Sequence, residues 1–307
     1  MAVIDYSEVS KPQMPDTTSC GSTLEVEDLS VYYGSGESRV QAVRQVSFRI
    51  AQGERVALVG ESGSGKSTLG LAIAGFLTRP GVEVSASRLE FDGRPMASRQ
   101  KSRLPVRTPG IAMVFQDAMT SLDPVWTIGS QLRAILKTHG SLSRADLQDR
   151  AGYWLDRVGI QGVDRVLKSR PYELSGGMRQ RAMIALALCS RPKMLIADEP
   201  TSALDAALSR NTMDLLLEMT EDFGTSLLII SHDILLCQEY AETTMVMYHG
   251  DLVETGASEN LAMTARHPYT LGLLNCIPTL DSAFLDELPT LESFVTREAQ
   301  PISIQGF

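Results

Sequence analysis

The chain has 307 residues, enough for one large domain or two modest ones, and its 43% hydrophobic and 21% charged content is ordinary for a soluble globular protein. A net charge of −9, from 28 Lys and Arg against 37 Asp and Glu, argues against a chain whose main task is holding nucleic acid, because phosphate backbones want a basic footprint. No apolar run approaches the roughly 18 residues that a membrane-spanning helix requires; Ser226 to Leu236 comes nearest and is interrupted by Ser231, His232 and Asp233.

Residues 1–22 are polar, carry Pro12 and Pro15, lack the basic start and apolar core of a secretory signal, and predict a flexible leader. From Thr23 to Val31 apolar residues alternate with polar ones (Leu24, Val26, Leu29, Val31), the pattern of a half-buried strand. Tyr32 to Gly36 predicts a turn, Val40 to Ile50 a strand pair, and Ala51 to Glu54 a turn into the short buried strand Val56–Val59. The Ala- and Leu-rich stretch from Leu69 to Leu77 predicts a helix, broken at Arg79-Pro80-Gly81. Ser87 to Phe91 predicts an edge strand that ends in the hairpin signal Asp92-Gly93, and Ile111 to Phe115 a buried strand. The texture then changes. Ile128–His139, Leu142–Val158 and Asp164–Val166 have helical spacing, so residues 117–172 predict a helical subdomain inserted into an α/β core. Beyond it, Leu174–Leu188 predicts a long helix, Lys193–Ala197 a buried strand, and Ala206–Met219 an amphipathic helix. Thr225–Ile230 predicts another buried strand, and Thr243–Tyr248 with Leu252–Glu254 a final hairpin. Strands alternating with helices predict a parallel sheet covered on both faces, with the antiparallel strands before Gly53 in a smaller sheet beside it. Cys20, Cys189, Cys237 and Cys276 show no paired metal-ligand spacing and suit a reducing compartment.

Between the strand Val56–Val59 and the helix that follows lies Gly60-Glu61-Ser62-Gly63-Ser64-Gly65-Lys66-Ser67-Thr68. Strand, glycine-rich turn and helix start are the context in which G-x-x-x-x-G-K-[ST] means a phosphate-binding loop. Glycines let successive N–H groups converge on one point, and the helix N-terminus adds its positive dipole end. Lys66 then reaches the terminal phosphates and the Ser67 hydroxyl reaches Mg²⁺. A G-x-G-x-x-G fingerprint starting at Gly63 fails at its last position, Thr68, which favours a nucleoside triphosphate over a dinucleotide. Asp198 and Glu199 close the strand that ends at Ala197. With a phosphate loop upstream, Asp198 is the candidate to hold Mg²⁺ opposite Ser67, and Glu199 to polarise an attacking water as general base. Leu174-Ser175-Gly176-Gly177-Met178-Arg179-Gln180-Arg181 opens a helix. Taken alone, Ser175 is an ordinary N-cap; with its two glycines it is a second anion-binding helix start.

In this order the segments resemble ATP-binding cassette (ABC) ATPases, over about Leu24 to Gly256. Ser175-Gly176-Gly177 resembles the family's signature motif, and Tyr32 or Tyr33 the aromatic that stacks on adenine. Gln116 resembles the glutamine that contacts Mg²⁺ and water and senses the membrane partner. Pro200-Thr201-Ser202-Ala203-Leu204-Asp205 resembles the loop that crosses the dimer, and Ser231-His232-Asp233 the switch histidine that contacts the γ-phosphate. The resemblance implies a P-loop (RecA-like) α/β core with a small antiparallel β subdomain, an inserted α-helical subdomain and a short C-terminal extension. The cassette would occupy residues 23–257 and the extension 258–307. It further implies ATP and Mg²⁺, hydrolysis by Glu199 with Gln116 and His232, and metal held by Ser67, Gln116 and Asp198. Nucleotide contacts are expected from Tyr33, from Gly60 through Thr68, and from Gly176 and Asp205, with Ser175 and Gly177 acting on ATP bound by a partner subunit.

ABC ATPases also power export, DNA repair, chromosome organisation and ribosome work. Here no long coiled-coil insertion separates the phosphate loop from the signature, and there is one cassette, which favours a transporter whose membrane subunits are separate chains. Phe115-Gln116-Asp117-Ala118-Met119-Thr120-Ser121-Leu122-Asp123-Pro124 is similar to the corresponding run in dipeptide, oligopeptide and nickel importer ATPases. So is the tail His267-Pro268-Tyr269-Thr270-Leu271-Gly272-Leu273-Leu274, continuing to Ile277-Pro278. Met178-Arg179-Gln180-Arg181 and Met119-Thr120-Ser121 resemble the first ATPase of the pair that such systems use. This implies a peripheral subunit on the cytoplasmic face of the inner (plasma) membrane. Its partners would be a second ABC ATPase (a copy or a paralogue), two transmembrane permeases and an extracytoplasmic solute-binding protein, with no nucleic acid. An exporter ATPase, or a soluble ATPase acting on nucleic acid, are the alternatives. Ala118 and Asp123 stand where the family usually has Pro and Asn. Many members end in a cysteine-rich segment that binds an iron–sulfur cluster; no cysteine follows Cys276, so no cluster is expected. The cargo stays open, because a cassette touches ATP and coupling helices rather than solute.

Overall fold

The structure is a computed structural model that describes residues 22–96, 108–117, 121–138, 142–202 and 205–276. The expected leader up to residue 21 with Cys20, the run Ala118 to Thr120, Ala203 and Leu204, and the tail from Ile277 onward lie outside them.

In chain order the strands are β1 (Ser22–Tyr33), β2 (Val40–Ala51), β3 (Arg55–Val59), β4 (Val82–Ser85), β5 (Arg88–Phe91), β6 (Arg94–Pro95), β7 (Ile111–Val114), β8 (Met194–Asp198), β9 (Ser226–Ser231), β10 (Thr243–Tyr248) and β11 (Asp251–Ala257). One sheet is antiparallel: β1 pairs with β2 along one side and with β4 and β5 on the other, and β6 extends β5. The other runs β11-β10-β3-β9-β8-β7 and is parallel except for the β10–β11 hairpin.

Side-chain alternation decides how the second sheet is covered. Val56 and Leu58 of β3, Ile196 of β8, and Leu228 and Ile230 of β9 face a cluster that includes α1 (Lys66–Ala74) and the antiparallel sheet. Their neighbours Ala57, Val59, Leu195, Ala197, Leu227 and Ile229 face the opposite cluster, built from the other helices. All of these are at most 1% exposed, and a fully buried side chain of Val, Leu or Ile size contributes about 1.5–3 kcal/mol. Burial on both faces is why these strands read as continuous apolar runs.

The helical insert comprises α2 (Ile128–Lys137), α3 (Arg144–Arg157) and α4 (Val163–Lys168), packed on one another and on α5 (Gly176–Leu188). Thr127 caps α2 by accepting the Ser130 N–H, and Ser143 with Asp146 makes a capping box on α3. Leu147, Ala151, Trp154 and Leu155 form the buried stripe of α3 at helical spacing. The Trp154 ring meets Phe223 at 5.2 Å and ties the insert to α6 (Ala206–Phe223). The short helices α7 (Ile234–Tyr240), α8 (Leu261–Thr264) and α9 (Pro268–Asn275) complete the described chain. Among the described residues no helix is long and apolar enough to cross a membrane.

Several expected boundaries are corrected. Tyr32 and Tyr33 belong to β1 rather than to the turn, which begins at Gly34. Val40 to Ile50 is one strand, not a pair: bulges at Asp28 (φ 53) and near Gln45 (φ 43) shift the β1–β2 register and break the alternation a single strand would display. The helix after the glycine-rich loop stops at Ala74 rather than Leu77, because Gly75 turns left-handed (φ 79) and returns its N–H to the carbonyls of Leu71 and Ala72. The strand predicted at Ser87 to Phe91 is not an edge, since β5 lies between β1 and β6. The four residues of β4 were too short a run to stand out from the sequence.

Candidate functional site

β3 delivers the chain to Gly60, and the loop hands over to α1 at Lys66. Two glycines are sterically required. A Cβ on Gly60 (φ 153) would sit 2.2 Å from the Met247 carbonyl oxygen, and one on Gly65 (φ 106) would sit 2.4 Å from the Ala42 carbonyl oxygen. The Ser64 N–H donates to the Glu61 carbonyl at 3.2 Å, and the Ser64 carbonyl accepts the Gly250 N–H at 2.9 Å. Lys66 is folded back within its own loop, its Nζ donating to the carbonyls of Gly60 (2.7 Å) and Glu61 (2.8 Å). Burial lowers its pKa, opposed by the carboxylates of Glu199 and Asp198.

The Ser67 hydroxyl donates to Asp198 Oδ1 at 2.9 Å, which joins the loop to the end of β8. Burial raises the Asp198 pKa, and the Ser67 hydrogen bond works against it. Glu199 takes a left-handed backbone (φ 46) and anchors its N–H to the Ile230 carbonyl at 2.8 Å. Its Oε2 meets Gln116 Nε2 at 3.4 Å and His232 Nδ1 at 3.3 Å, so the ends of β7, β8 and β9 converge on one carboxylate. Residues 60–63 and 65–68, Gln116, Glu199 and His232 line one cavity of about 560 Å³ together with Ala42 and Leu273. Ser64 faces inward, 5% exposed, and its hydroxyl has no hydrogen-bond partner among the described residues.

Other expected site residues fall elsewhere. Tyr33 packs partly buried against the cluster shared by α1 and the antiparallel sheet, with its hydroxyl 3.3 Å from Thr68 Oγ1, and Tyr32 lies beneath the Arg39 guanidinium at 3.8 Å; neither lines the cavity. Ser175 caps α5 by accepting the Met178 N–H at 3.4 Å and is exposed with Gly176, while a Cβ on Gly177 would lie 3.8 Å from Leu208 Cδ2, an ordinary contact. Asp205 caps α6, accepting the Leu208 N–H at 2.9 Å. These four are also absent from the cavity wall. Cys189 and Cys237 are buried, and desolvation pushes both thiols up to about 12, which leaves them inert packing groups. Ala42 was not singled out by the sequence, and Leu273 only as part of the tail His267–Leu274; their strand and helix reach the loop through tertiary packing, and neither residue type signals phosphate chemistry.

A family model described as ABC transporter matches residues 43–202, and a second, described as the C-terminal region of oligopeptide/dipeptide transporters, matches residues 253–303. The dipeptide transport ATP-binding protein DppD of Haemophilus influenzae is 43% identical over 256 residues, covering 83% of this chain and 77% of the relative. The oligopeptide transport ATP-binding protein AppD of Bacillus subtilis is 39% identical over 273 residues, covering 89% and 83%. Among solved structures, cbiO1 of Clostridium perfringens, part of the ABC transporter complex cbiONQ, superposes with a TM-score of 0.64 at 28% identity, covering 82% of this chain and 95% of that one.

Proposed function

Because the chain belongs to the ABC transporter family and carries an oligopeptide/dipeptide transporter C-terminal region, we propose that it is the ATP-hydrolysing subunit of a multi-subunit importer of peptides or a related small solute. The observation that carries the reading is the meeting of the phosphate loop with Gln116, Glu199 and His232 around one cavity. In this reading residues 1–22 are a leader, residues 23–257 the cassette with its helical subdomain at 117–172, and residues 258–307 the importer-type extension.

ATP binding draws Lys66 from the Gly60 and Glu61 carbonyls to the terminal phosphates. Glu199 accepts a proton from the water that attacks the γ-phosphorus as the bond to the ADP oxygen breaks, a role worth about 10²–10⁴ in rate. Gln116 orients that water and His232 holds the γ-phosphate, both from positions beside the Glu199 carboxylate. The donor set fits Mg²⁺: Ser67 Oγ and Asp198 Oδ1 are hard oxygens 2.9 Å apart. Among the described residues there is no cage of three acidic or imidazole ligands, and this ion commonly keeps waters and substrate phosphates in its shell. Bound there with Gln116 nearby, it would neutralise charge on the β- and γ-phosphates.

Ser175 and Gly176 are exposed and stand outside their own chain's cavity, which leaves them, with Gly177 and Asp205, for ATP held by a second cassette subunit, a copy or a paralogue. Val125 (71% exposed), Trp126 (56%) and Tyr172 (56%) form an apolar surface beside the insert, held together by Arg170, which donates to the Val125 carbonyl and the Tyr172 hydroxyl. Exposed apolar groups of this kind suit a protein contact, and the occupant assigned to it is one of two transmembrane permeases, met by this peripheral subunit at the cytoplasmic face of the inner (plasma) membrane. An extracytoplasmic solute-binding protein acts through those permeases. Purification of the tagged full chain from detergent-solubilised membranes tests this: two permeases should copurify, and ATPase activity should rise when peptide-loaded binding protein is added. Stimulation by DNA or ribosomes without membrane partners would refute it.

A further inference from the structure

Tyr269 is fully buried in α9, 208 residues from Glu61 along the chain, yet its phenolic oxygen accepts the Glu61 N–H at 2.8 Å. The local sequence builds that contact. Glu254 of β11 accepts the N–H groups of Arg266 (2.7 Å) and His267 (3.3 Å) and so fixes the segment that enters α9. His267 Nδ1 caps the helix by accepting the Tyr269 N–H at 3.2 Å. Pro268 takes the first helical position, where its missing N–H costs no helical hydrogen bond. The Tyr269 ring then stacks on Tyr248 at the end of β10, with centroids 4.1 Å apart and planes at 30°. Two residues beyond Tyr248, the Gly250 N–H donates to the Ser64 carbonyl at 2.9 Å. The phosphate loop is therefore gripped twice from the C-terminal side, at Glu61 by α9 and at Ser64 by the β10–β11 turn. One helical turn past Tyr269, Leu273 reaches the cavity wall. Burial pushes the Tyr269 phenol up to about 12, so it stays a neutral acceptor at neutral pH.

We propose that Tyr269 is a positioning residue for nucleotide binding: its hydroxyl fixes the Glu61 peptide and presets the entry of the phosphate loop, which makes the C-terminal extension a working part of the ATP site. The inference rests on the ATP-site reading above. A loop already held in its binding conformation does not have to be ordered by the nucleotide, and the ordering cost otherwise appears as weaker affinity. Tyr269→Phe keeps the ring on Tyr248 and deletes only the acceptor oxygen. In the full-length chain with Mg²⁺, isothermal titration should show the Kd for ATP rising about three- to tenfold, the scale of one net hydrogen bond. The measurement is made well below the melting range, where a purely structural role leaves Kd unchanged. Amide hydrogen exchange at Glu61 in the nucleotide-free chain reads the same bond directly: the N–H should be protected in the wild type and exchange faster in Tyr269→Phe. Should that variant fail to fold, Tyr248→Leu, which removes the ring that Tyr269 stacks on, should raise Kd and quicken exchange at Glu61 in the same direction. Wild-type affinity in Tyr269→Phe, or a Glu61 N–H that exchanges unprotected in the wild type, overturns the inference. Failure of the wild-type chain to bind ATP overturns the ATP-site reading instead.

Discussion

Alanine at Gly63 and at Gly65 separates two costs that the phosphate loop imposes. Both glycines have positive φ, 85 and 106 respectively, and an L-residue in a left-handed conformation loses about 1–2 kcal/mol. They differ in surroundings. Among the described residues a Cβ on Gly63 meets nothing within 4 Å, whereas one on Gly65 meets the Ala42 carbonyl oxygen at 2.4 Å and Met247 Cε at 2.9 Å. The Met247 end is a flexible side chain, but the Ala42 oxygen belongs to the backbone of β2, so relief requires the loop or the strand to move. Overpacking of that kind adds about 1–3 kcal/mol. Gly63→Ala should therefore cost about 1–2 kcal/mol and Gly65→Ala about 2–5. Both losses fit within a typical total stability of about 5–15 kcal/mol. Urea unfolding of the nucleotide-free chain, followed by the fluorescence of buried Trp154, measures both. Equal losses, or a larger loss at Gly63, would refute the claim that β2 and β10 press on the loop.

Glu199→Gln keeps the shape beside Gln116 and His232 but removes the base; ATP binding should persist while turnover falls at least about 100-fold, and substantial residual turnover would sink the assignment. Asp198→Asn tests the buried carboxylate. Its raised pKa means that folding disfavours the ionised form, so the penalty is absent in acid and complete once pH rises above the folded pKa. An amide never ionises and still accepts from Ser67, so the Mg²⁺-free variant at neutral pH should melt no lower than wild type while ATPase activity is lost. A markedly lower melting point contradicts the sign. Trp126→Ala removes an exposed ring without touching the cavity; recovery of permeases in copurification should drop while the ATP Kd of the chain stays constant, and undiminished recovery would place the membrane contact elsewhere.

Much of the core was legible because burial writes itself into periodicity. The runs at β3, β8 and β9 are apolar on both faces, and the stripe Leu147, Ala151, Trp154, Leu155 marks one side of α3. The glycine-rich loop from Gly60 to Thr68 was legible as a turn for a different reason: glycine is the residue that the left-handed turns and the close approach of the Ala42 and Met247 carbonyls permit, so geometry is recorded in residue type. Local signals misled where local geometry was irregular. The bulges in the β1–β2 pair hid a single long strand, and one left-handed glycine shortened α1.

What the chain order alone determined was the inventory: a glycine-rich loop with the G-x-x-x-x-G-K-[ST] pattern, a carboxylate pair after a buried strand, a glutamine, a histidine and a Ser-Gly-Gly helix start. Tertiary structure alone decided which of these share a cavity. Gln116, Glu199 and His232 meet because parallel strands β7, β8 and β9 are neighbours and end at the same edge of the sheet, whereas Ser175 and Asp205 cap helices away from that wall. It also revealed that a tyrosine near the end of the described chain holds the loop near its beginning. A hydrogen bond between residues 208 positions apart leaves no periodicity, since its two ends are brought together only by the packing of everything between them.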